Sequence, residues 1–225
     1  MDINVEYINP FDEKYDYFMR VEHLGRYYFA SKVLKDFENV LDVACADGYG
    51  VNLLSKHVKK IVGVDRKKEY LDIAKKRYKS PNIEFYQIDV DLEPIPGKYD
   101  GIACFETIEH VRYPEKFLNT LYNILENNGT LILSVPNSKY EVIENGKNKD
   151  TYHLHVFDIN ELQELIKKIG FKIEEIYGQS YINKIVNKDI TDYYITNVSD
   201  DAKIVGYPNK EDVDKTYSYI FLLKK

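Results

Sequence analysis

Apolar and polar positions along the chain follow two alternating periods. Short runs rich in Val, Ile and Leu, typical of buried strands, are each followed by a stretch with helical spacing. The predicted strands are 39–44, 60–64, 83–88, 100–105, 130–135, 171–177 and 216–223. The predicted helices are 21–30, 49–58, 67–79, 114–126 and 159–170. This order predicts an α/β fold built on a doubly wound, mostly parallel, seven-stranded sheet.

The composition limits the classes of partner. The net charge is −6 and the basic residues are scattered along helix faces, so a nucleic-acid substrate is not expected. The N-terminal residues lack the basic and apolar regions of a secretory signal, and no apolar run reaches the ~20 residues that span a membrane. We expect a cytoplasmic protein without a membrane partner, in which Cys45 and Cys104 are buried free thiols.

Candidate binding residues follow the ends of four predicted strands. The first strand runs into LDVACADGYG (41–50), the second ends at Asp65, the third at Asp89 and the fourth at Phe105-Glu106. Ligands of open α/β sheets bind outside the carboxyl ends of the strands, so one crevice would present all four. Asp65 is placed to accept hydrogen bonds from two ribose hydroxyls, as in sites for NAD or for S-adenosylmethionine.

The loop after the first strand favours S-adenosylmethionine over NAD. A dinucleotide site needs G-x-G-x-x-G, so that pyrophosphate can lie against bare backbone at a helix N-terminus. Here Leu53 stands where the third glycine is needed, and Ala44 and Ala46 add methyl groups in the tightest turn. S-adenosylmethionine carries no phosphate, so its demands on the loop are softer. An NAD-dependent sugar-nucleotide dehydrogenase or epimerase is the alternative, but the Tyr-x-x-x-Lys pair of such enzymes is not found from Tyr70 or Tyr113.

Five stretches, in order, resemble the motifs of class I S-adenosylmethionine-dependent methyltransferases. They are NVLDVACADGYG, VGVD, IDVDLEPIP, YDGIACFETIEHV and LNTLYNILENNGTLILSVPN, and alanine replaces the commoner glycine in the first. The resemblance covers roughly residues 20–178 and implies a Rossmann-like methyltransferase fold with S-adenosylmethionine as cofactor. It places Asp65 at the ribose, Asp89 near the adenine amino group and the Val90 amide near a ring nitrogen. The implied cofactor-binding residues are Arg26, Asp42, Ala44, Gly48, Asp65, Arg66, Asp89, Val90 and Phe105.

The string FETIEH (105–110) supplies candidates for the chemistry. Methyl transfer to a hydroxyl requires that the acceptor be aligned and that its proton be removed. Glu106, Glu109 and His110 stand at i, i+3 and i+4, so one helical turn would bring them to a single side. His110 could be the general base, with Glu106 or Glu109 tuning it, or the three could bind a divalent cation. The E-x-x-E-H string is similar to the metal-binding motif of ubiquinone-pathway O-methyltransferases, which implies Mg²⁺.

A second group of candidates lies in TYHLHVFD (151–158). Alternation in an extended stretch puts His153 and His155 on one side, within reach of the acceptor pocket, so both are candidate catalytic residues. This stretch, and the E-H-x-x-R-Y string that contains Arg26, are similar to stretches of methyltransferases linked to surface-glycan biosynthesis. That resemblance implies an upstream helix over the cofactor, and Arg26 would bind the cofactor carboxylate bidentately.

From these features we predict a single methyltransferase domain over residues 1–225. Its parts are an N-terminal helical cap (1–38), a cofactor-binding core (39–178), an insertion over the acceptor site (179–215) and a closing strand (216–225). The predicted activity is O-methylation of a sugar, sugar nucleotide or similar small molecule, in surface-polysaccharide biosynthesis. A cofactor-binding subunit without catalysis is a further alternative.

Overall fold

Helices and strands alternate along the chain in the computed structural model, which describes residues 7–15, 17–140, 143–144, 147–148, 152–181, 210, 213 and 216–225. The helices are α1 (Tyr17–Val33), α2 (Tyr49–Leu54), α3 (Lys68–Arg77), α4 (Pro114–Ile124) and α5 (Ile159–Ile169). The strands are β1 (Asn39–Val43), β2 (Lys60–Asp65), β3 (Ile83–Gln87), β4 (Tyr99–Cys104), β5 (Leu125–Pro136), β6 (Ile143–Glu144), β7 (Lys147–Asn148), β8 (Lys172–Tyr181) and β9 (Thr216–Lys224). Single 3₁₀ turns cover Ile108–His110 and Ser138–Tyr140.

Seven of these strands form one sheet in the order β3-β2-β1-β4-β5-β9-β8. Strands β1 to β5 are parallel, β9 runs antiparallel to β5, and β8 runs antiparallel to β9. The predicted doubly wound, mostly parallel, seven-stranded sheet is therefore confirmed. Because β1 to β4 are parallel, their carboxyl ends lie along one edge, where the predicted site residues follow them.

Side chains from alternate strand positions enter two hydrophobic cores, one on each face of the sheet. In β1, Leu41 and Val43 belong to the core that α4 and α5 cover, whereas Val40 belongs to the core under α1, α2 and α3. Both faces of the sheet are thus buried between helices. This explains why the strands are apolar throughout rather than alternately apolar and polar.

Some element boundaries agree with the sequence prediction and others differ. Helix α5 begins and ends as expected: Asp158 Oδ1 accepts a hydrogen bond from the Asn160 amide at 2.8 Å, and Gly170 ends the helix at φ 113°. The helix predicted to run to residue 126 ends at Ile124, and the one predicted to run to residue 58 ends at Leu54. At the first of these ends Leu125 is fully buried and pairs with β4, so tertiary packing overrides the helical pattern.

The predicted insertion at 179–215 lies almost wholly outside the described residues. Strand β8 continues to Tyr181, so the first three residues of that segment belong to the sheet. Cys45 and Cys104 are buried free thiols, as predicted. None of the helices in the described ranges combines the length and hydropathy needed to cross a bilayer. The domain divisions and the cytoplasmic location stay predictions.

Candidate cofactor and acceptor site

A cavity of about 330 Å³ opens beyond the carboxyl ends of β1, β2 and β4. This is where open α/β sheets bind their ligands. Most of the predicted site residues line it, namely Arg26, Ala44, Asp65, Arg66, Asp89, Val90, Phe105, Glu106, Glu109, His110 and His153. Three predicted residues do not line it: Asp42, Gly48 and His155.

Backbone strain is concentrated at this cavity. Ala44, Ala46 and Glu106 all have positive φ angles, of 58°, 46° and 44°, and all three line the cavity. A left-handed conformation costs a residue other than glycine about 1–2 kcal/mol, and such residues cluster at binding sites. The two alanines of the loop after β1 therefore occupy positions whose backbone favours glycine, which is why the related motif usually has glycine there.

Gly48 allows the tight turn of the loop after β1 and does not line the cavity. It lies at the N-terminus of α2 with φ 78°. A Cβ atom at this position would come within 2.8 Å of the Phe85 ring and 2.9 Å of the Ala74 Cβ. The cofactor contact expected of Gly48 stays a prediction, and in this structure the glycine lets α2 begin close to α3 and β3.

Asp65, at the end of β2, is held firmly in the cavity wall. Its Oδ2 accepts a hydrogen bond from the Ala46 amide at 2.9 Å, and its Oδ1 accepts one from the Lys67 amide at 2.8 Å. Burial raises the pKa of Asp65, although these hydrogen bonds oppose the shift. Carboxylate oxygens have further lone pairs, so both can still accept hydroxyl hydrogen bonds. The arrangement fits the two hydroxyls of a ribose.

Asp42 is fully buried beneath the cavity rather than exposed to it. Its two carboxylate oxygens accept hydrogen bonds from the Tyr27 hydroxyl at 3.2 and 3.1 Å. Burial raises the pKa of Asp42 to about 8. The predicted contact between Asp42 and the cofactor stays a prediction. Asp42 acts through Tyr27, whose ring lines the cavity and packs edge-on against Tyr49 and Phe105, each with 5.1 Å between centroids.

Arg26, on α1, is a buried cation that lines the cavity. Its side chain is 4% exposed, and its Nη1 lies 3.0 Å from Oε1 of Glu106. Burial alone would lower the pKa of Arg26, but the carboxylates of Glu106 and Glu22 raise it above its ordinary value, so the guanidinium stays charged. Its Nε is buried and has no hydrogen-bond partner within the described part of the chain. A carboxylate ligand would satisfy that donor.

Glu106 does not share a helical turn with Glu109 and His110. Its φ of 44° places it before the 3₁₀ turn that begins at Ile108. Its carboxylate binds Arg26 and accepts a hydrogen bond from Ser134 Oγ at 2.6 Å, while its amide donates to the same Oγ at 3.0 Å. The left-handed backbone turns Glu106 toward Arg26 of α1 and Ser134 of β5, and metal binding by Glu106, Glu109 and His110 stays a prediction.

In the structure His153, and not Glu106, lies beside Glu109 and His110. The candidate ligand atoms of Glu109, His110 and His153 all lie within 4.8 Å of one another, and the two imidazole rings meet edge-on at 4.9 Å. Glu109 is 1% exposed. His110 Nδ1 lies 2.9 Å from the backbone carbonyl of Tyr152, so this nitrogen carries the proton and donates it. In the neutral ring the lone pair is then on Nε2, which lies 3.9 Å from Glu109 Oε1.

His155 lies in the same stretch but outside the cavity. The predicted alternation is present, since residues 153, 155 and 157 are half-buried and residues 152, 154 and 156 are exposed. The His155 ring stacks on Phe157 with 5.8 Å between centroids. The amides of Leu154 and His155 both donate to the Glu109 carbonyl, at 2.8 and 3.1 Å, and this turns the chain away after His153. The catalytic role of His155 stays a prediction, and in this structure its ring does not line the cavity.

His23, on α1, also lines the cavity. No role was predicted for this histidine from the sequence. Its Nδ1 lies 3.1 Å from the Tyr49 hydroxyl. Burial, together with the Arg26 guanidinium, lowers the pKa of His23 well below its ordinary value. His23 is therefore neutral, and Arg26 is the cation on this side of α1.

Sequence reasoning also missed the segment before α1. Tyr7 and Ile8 line the cavity. Asn9 Nδ2 donates to Asp47 Oδ2 at 2.8 Å, and Arg77 Nη1 donates to the same oxygen at 2.9 Å. These contacts tie the segment to the loop after β1 and to α3, so it closes one side of the cavity. The available signal was Asn9-Pro10, a dipeptide typical of turns, between aromatic residues.

Carboxylates and small residues at the ends of parallel strands, around a cavity of this size, define a nucleoside-binding α/β protein. Comparison with known proteins makes the class more specific. A family model described as "Methyltransferase domain" matches residues 11–176. A Mycolicibacterium smegmatis protein named "Probable S-adenosylmethionine-dependent methyltransferase" is 26% identical over 145 residues, which are 62% of this chain and 54% of that protein. The ubiquinone biosynthesis O-methyltransferase of Coxiella burnetii is 27% identical over 117 residues, 51% of this chain and 50% of that one.

The fold comparison agrees. A crystal structure of an S-adenosylmethionine-dependent methyltransferase from Mesorhizobium loti superimposes with a TM-score of 0.66 at 12% identity, covering 91% of this chain and 100% of that one. The chain belongs to the class I S-adenosylmethionine-dependent methyltransferase family. Members of this family use S-adenosylmethionine, the cofactor predicted from the sequence. The chain spans about half the length of the curated relatives it matches.

The sequence left two alternatives open, an NAD-dependent enzyme and a cofactor-binding subunit without catalysis. Family membership argues against the NAD-dependent enzyme. Tyr28 and Lys32, on α1, have the Tyr-x-x-x-Lys spacing that a dehydrogenase would use. Neither of them lines the cavity.

Proposed function

We propose that this enzyme methylates an oxygen of a small hydroxylated molecule, a sugar or sugar nucleotide, in surface-polysaccharide biosynthesis. The observation that carries the proposal is the cluster of Glu109, His110 and His153, which lies in the same cavity as the ribose-binding carboxylate of Asp65. A hydroxyl acceptor needs a proton-accepting group because a neutral hydroxyl is a poor nucleophile. The similarity to a relative named as an O-methyltransferase supports an oxygen acceptor.

Residues from four parts of the chain would hold the cofactor. Asp65 would accept hydrogen bonds from the ribose hydroxyls, and Asp89 with the Val90 amide would contact the adenine edge. Arg26, whose Nε is buried and lacks a partner among the described residues, would donate to the methionine carboxylate. The strained backbone at Ala44 lets the chain pass close to the ligand. When bound, S-adenosylmethionine supplies a methyl group already activated by its sulfonium charge.

The acceptor side is formed by the cluster. The acceptor hydroxyl would lie against His110 and His153, with the buried carboxylate of Glu109 behind them, and would lose its proton there. The Tyr152 carbonyl holds His110 with its Nε2 lone pair directed to this place. Glu106 is a positioning residue in this scheme, because its Oε1 binds both Arg26 and Ser134.

A direct test is a panel of nucleotide-activated sugars, free sugars, simple phenols, amines and thiols incubated with the enzyme and S-adenosylmethionine. Release of S-adenosylhomocysteine and the product mass report transfer. We expect His110→Ala and His153→Ala to reduce the rate at least about a hundredfold while leaving S-adenosylhomocysteine binding unchanged. His57→Ala, at an exposed position beyond α2, is the matched control. Transfer to nitrogen or sulfur acceptors alone, or full activity of both variants, would contradict the proposal.

A further inference from the structure

We infer that Glu109, His110 and His153 form a binding site for a divalent transition-metal ion of the zinc type, rather than for Mg²⁺. The inference rests on the proposed function only for the use of the ion, not for its binding. Two imidazoles and one carboxylate converge from two separate parts of the chain, the 3₁₀ turn Ile108–His110 and the extended stretch 152–158.

Hydrogen bonds around the cluster orient its side chains and determine which atoms can bind an ion. His110 Nδ1 donates to the Tyr152 carbonyl at 2.9 Å, which leaves Nε2 as the ligand atom. A backbone carbonyl that fixes the tautomer of a histidine in this way is the usual outer partner of a metal ligand. The Glu109 carbonyl accepts the Leu154 and His155 amides, and so holds His153 beside His110.

The separations are those of a site that closes by small side-chain movements. Nε2 of His110 lies 3.9 Å from Glu109 Oε1, and all three ligand atoms lie within 4.8 Å of one another. Ligands bound at about 2.0–2.2 Å from one tetrahedral ion are roughly 3.3–3.6 Å apart, so rotamer adjustments of under about 1 Å suffice. The Glu109 side chain is 1% exposed, and buried carboxylates in proteins are paired or coordinate metal ions.

The donor types decide which ion fits. Mg²⁺ prefers an octahedral shell of oxygens and keeps several waters. Imidazole suits zinc and its neighbours in the first transition row. Two histidines with one glutamate, and a position left open, is the ligand set of a catalytic zinc site. The open position would face the cavity, where an ion polarises a hydroxyl bound to it.

The test uses the full chain, stripped of metal with EDTA and desalted, and titrated with Zn²⁺ or Mg²⁺ by calorimetry without cofactor or acceptor. We expect one Zn²⁺ per chain, bound at least about tenfold more tightly than Mg²⁺. His153→Ala and Glu109→Gln should each weaken Zn²⁺ binding at least about tenfold. Co²⁺ should give visible absorption bands that these variants lose.

His155→Ala is the matched control, because His155 lies two residues further along the same stretch and outside the cavity. It should bind Zn²⁺ as the unaltered chain does, and circular dichroism should show that all variants remain folded. Equal affinity for Mg²⁺, undiminished Zn²⁺ binding by His153→Ala, or an equal loss in His155→Ala would overturn the inference. Methyl transfer at full rate in EDTA would remove the use of the ion and leave the proposed function standing. Stoichiometric Zn²⁺ binding without any methyl transfer would refute the proposed function and leave the metal site standing.

Discussion

Arg26 and Glu106 form an ion pair inside the cavity, with 3.0 Å between Nη1 of the arginine and Oε1 of the glutamate. One comes from α1 and the other from the end of β4, so the pair joins the helix before the first strand to the cofactor site. We propose that the same guanidinium also binds the cofactor carboxylate, through its buried Nε.

Replacement of Arg26 by methionine should weaken the binding of S-adenosylhomocysteine at least tenfold. A hydrogen bond between charged groups contributes about 1.5–3 kcal/mol, and about 1.4 kcal/mol corresponds to a factor of ten in affinity. Calorimetry measures the change. 5′-Methylthioadenosine, which lacks the carboxylate, should bind both proteins equally, and an equal loss for the two ligands would refute the assigned contact. The double variant Arg26→Met/Glu106→Gln should recover stability, since it leaves no uncompensated buried charge, but should not recover binding.

The buried pair of Tyr27 and Asp42 predicts a pH-dependent stability. Burial raises the pKa of Asp42 from an ordinary 3.8 to about 8, so in this interval the folded chain holds a proton that the unfolded chain has released. The free energy of unfolding should therefore fall as pH rises from about 5 to about 8, by at most about 1.4 kcal/mol per pH unit. Asp42→Asn should flatten the slope in urea titrations across that interval. Asp65, whose pKa burial also raises, will leave a residual slope, and an unchanged slope in the variant would contradict the prediction.

The left-handed backbone of the loop after β1 predicts that glycine is tolerated there. Ala46→Gly removes a strain of about 1–2 kcal/mol and adds an unfolded-state entropy cost of about 0.5–1 kcal/mol. Stability should therefore stay level or rise by up to ~1 kcal/mol. Ala30→Gly, at a buried helical position of α1, should instead lose about 1 kcal/mol or more. Thermal unfolding compares the two, and equal losses would show that strain at Ala46 is not what the φ angle indicates.

At Gly50, in contrast to Ala46, we predict that only glycine is compatible with full stability. A Cβ atom there would overlap the Tyr27 ring, so Gly50→Ala must displace the tyrosine that holds Asp42. We expect a loss of about 1–3 kcal/mol, measured by urea unfolding. In the double variant with Tyr27→Ala the losses should be clearly less than additive, because both changes act on the same contact. Strict additivity would argue that the ring is not what glycine accommodates here.

Much of this architecture is present in the sequence. The apolar runs identify the strands of the seven-stranded sheet, and Asp158 and Gly170 define α5, because period, capping and turn chemistry are properties of neighbouring residues. The positions of Asp65, Asp89 and His110 also follow, since residues after parallel strands must meet at one edge of the sheet. The sequence thus predicts the class of cofactor and the location of its site.

Which side chains face the ligand is decided by the tertiary structure. A single backbone angle at Glu106 turns its carboxylate to Arg26 and Ser134, and a pair of hydrogen bonds to the Glu109 carbonyl selects His153 over His155. Neither choice follows from the spacing of the residues, because each depends on contacts between parts of the chain far apart in sequence. Periodicity is a local property, whereas the orientation of a side chain in a cavity depends on everything packed around it.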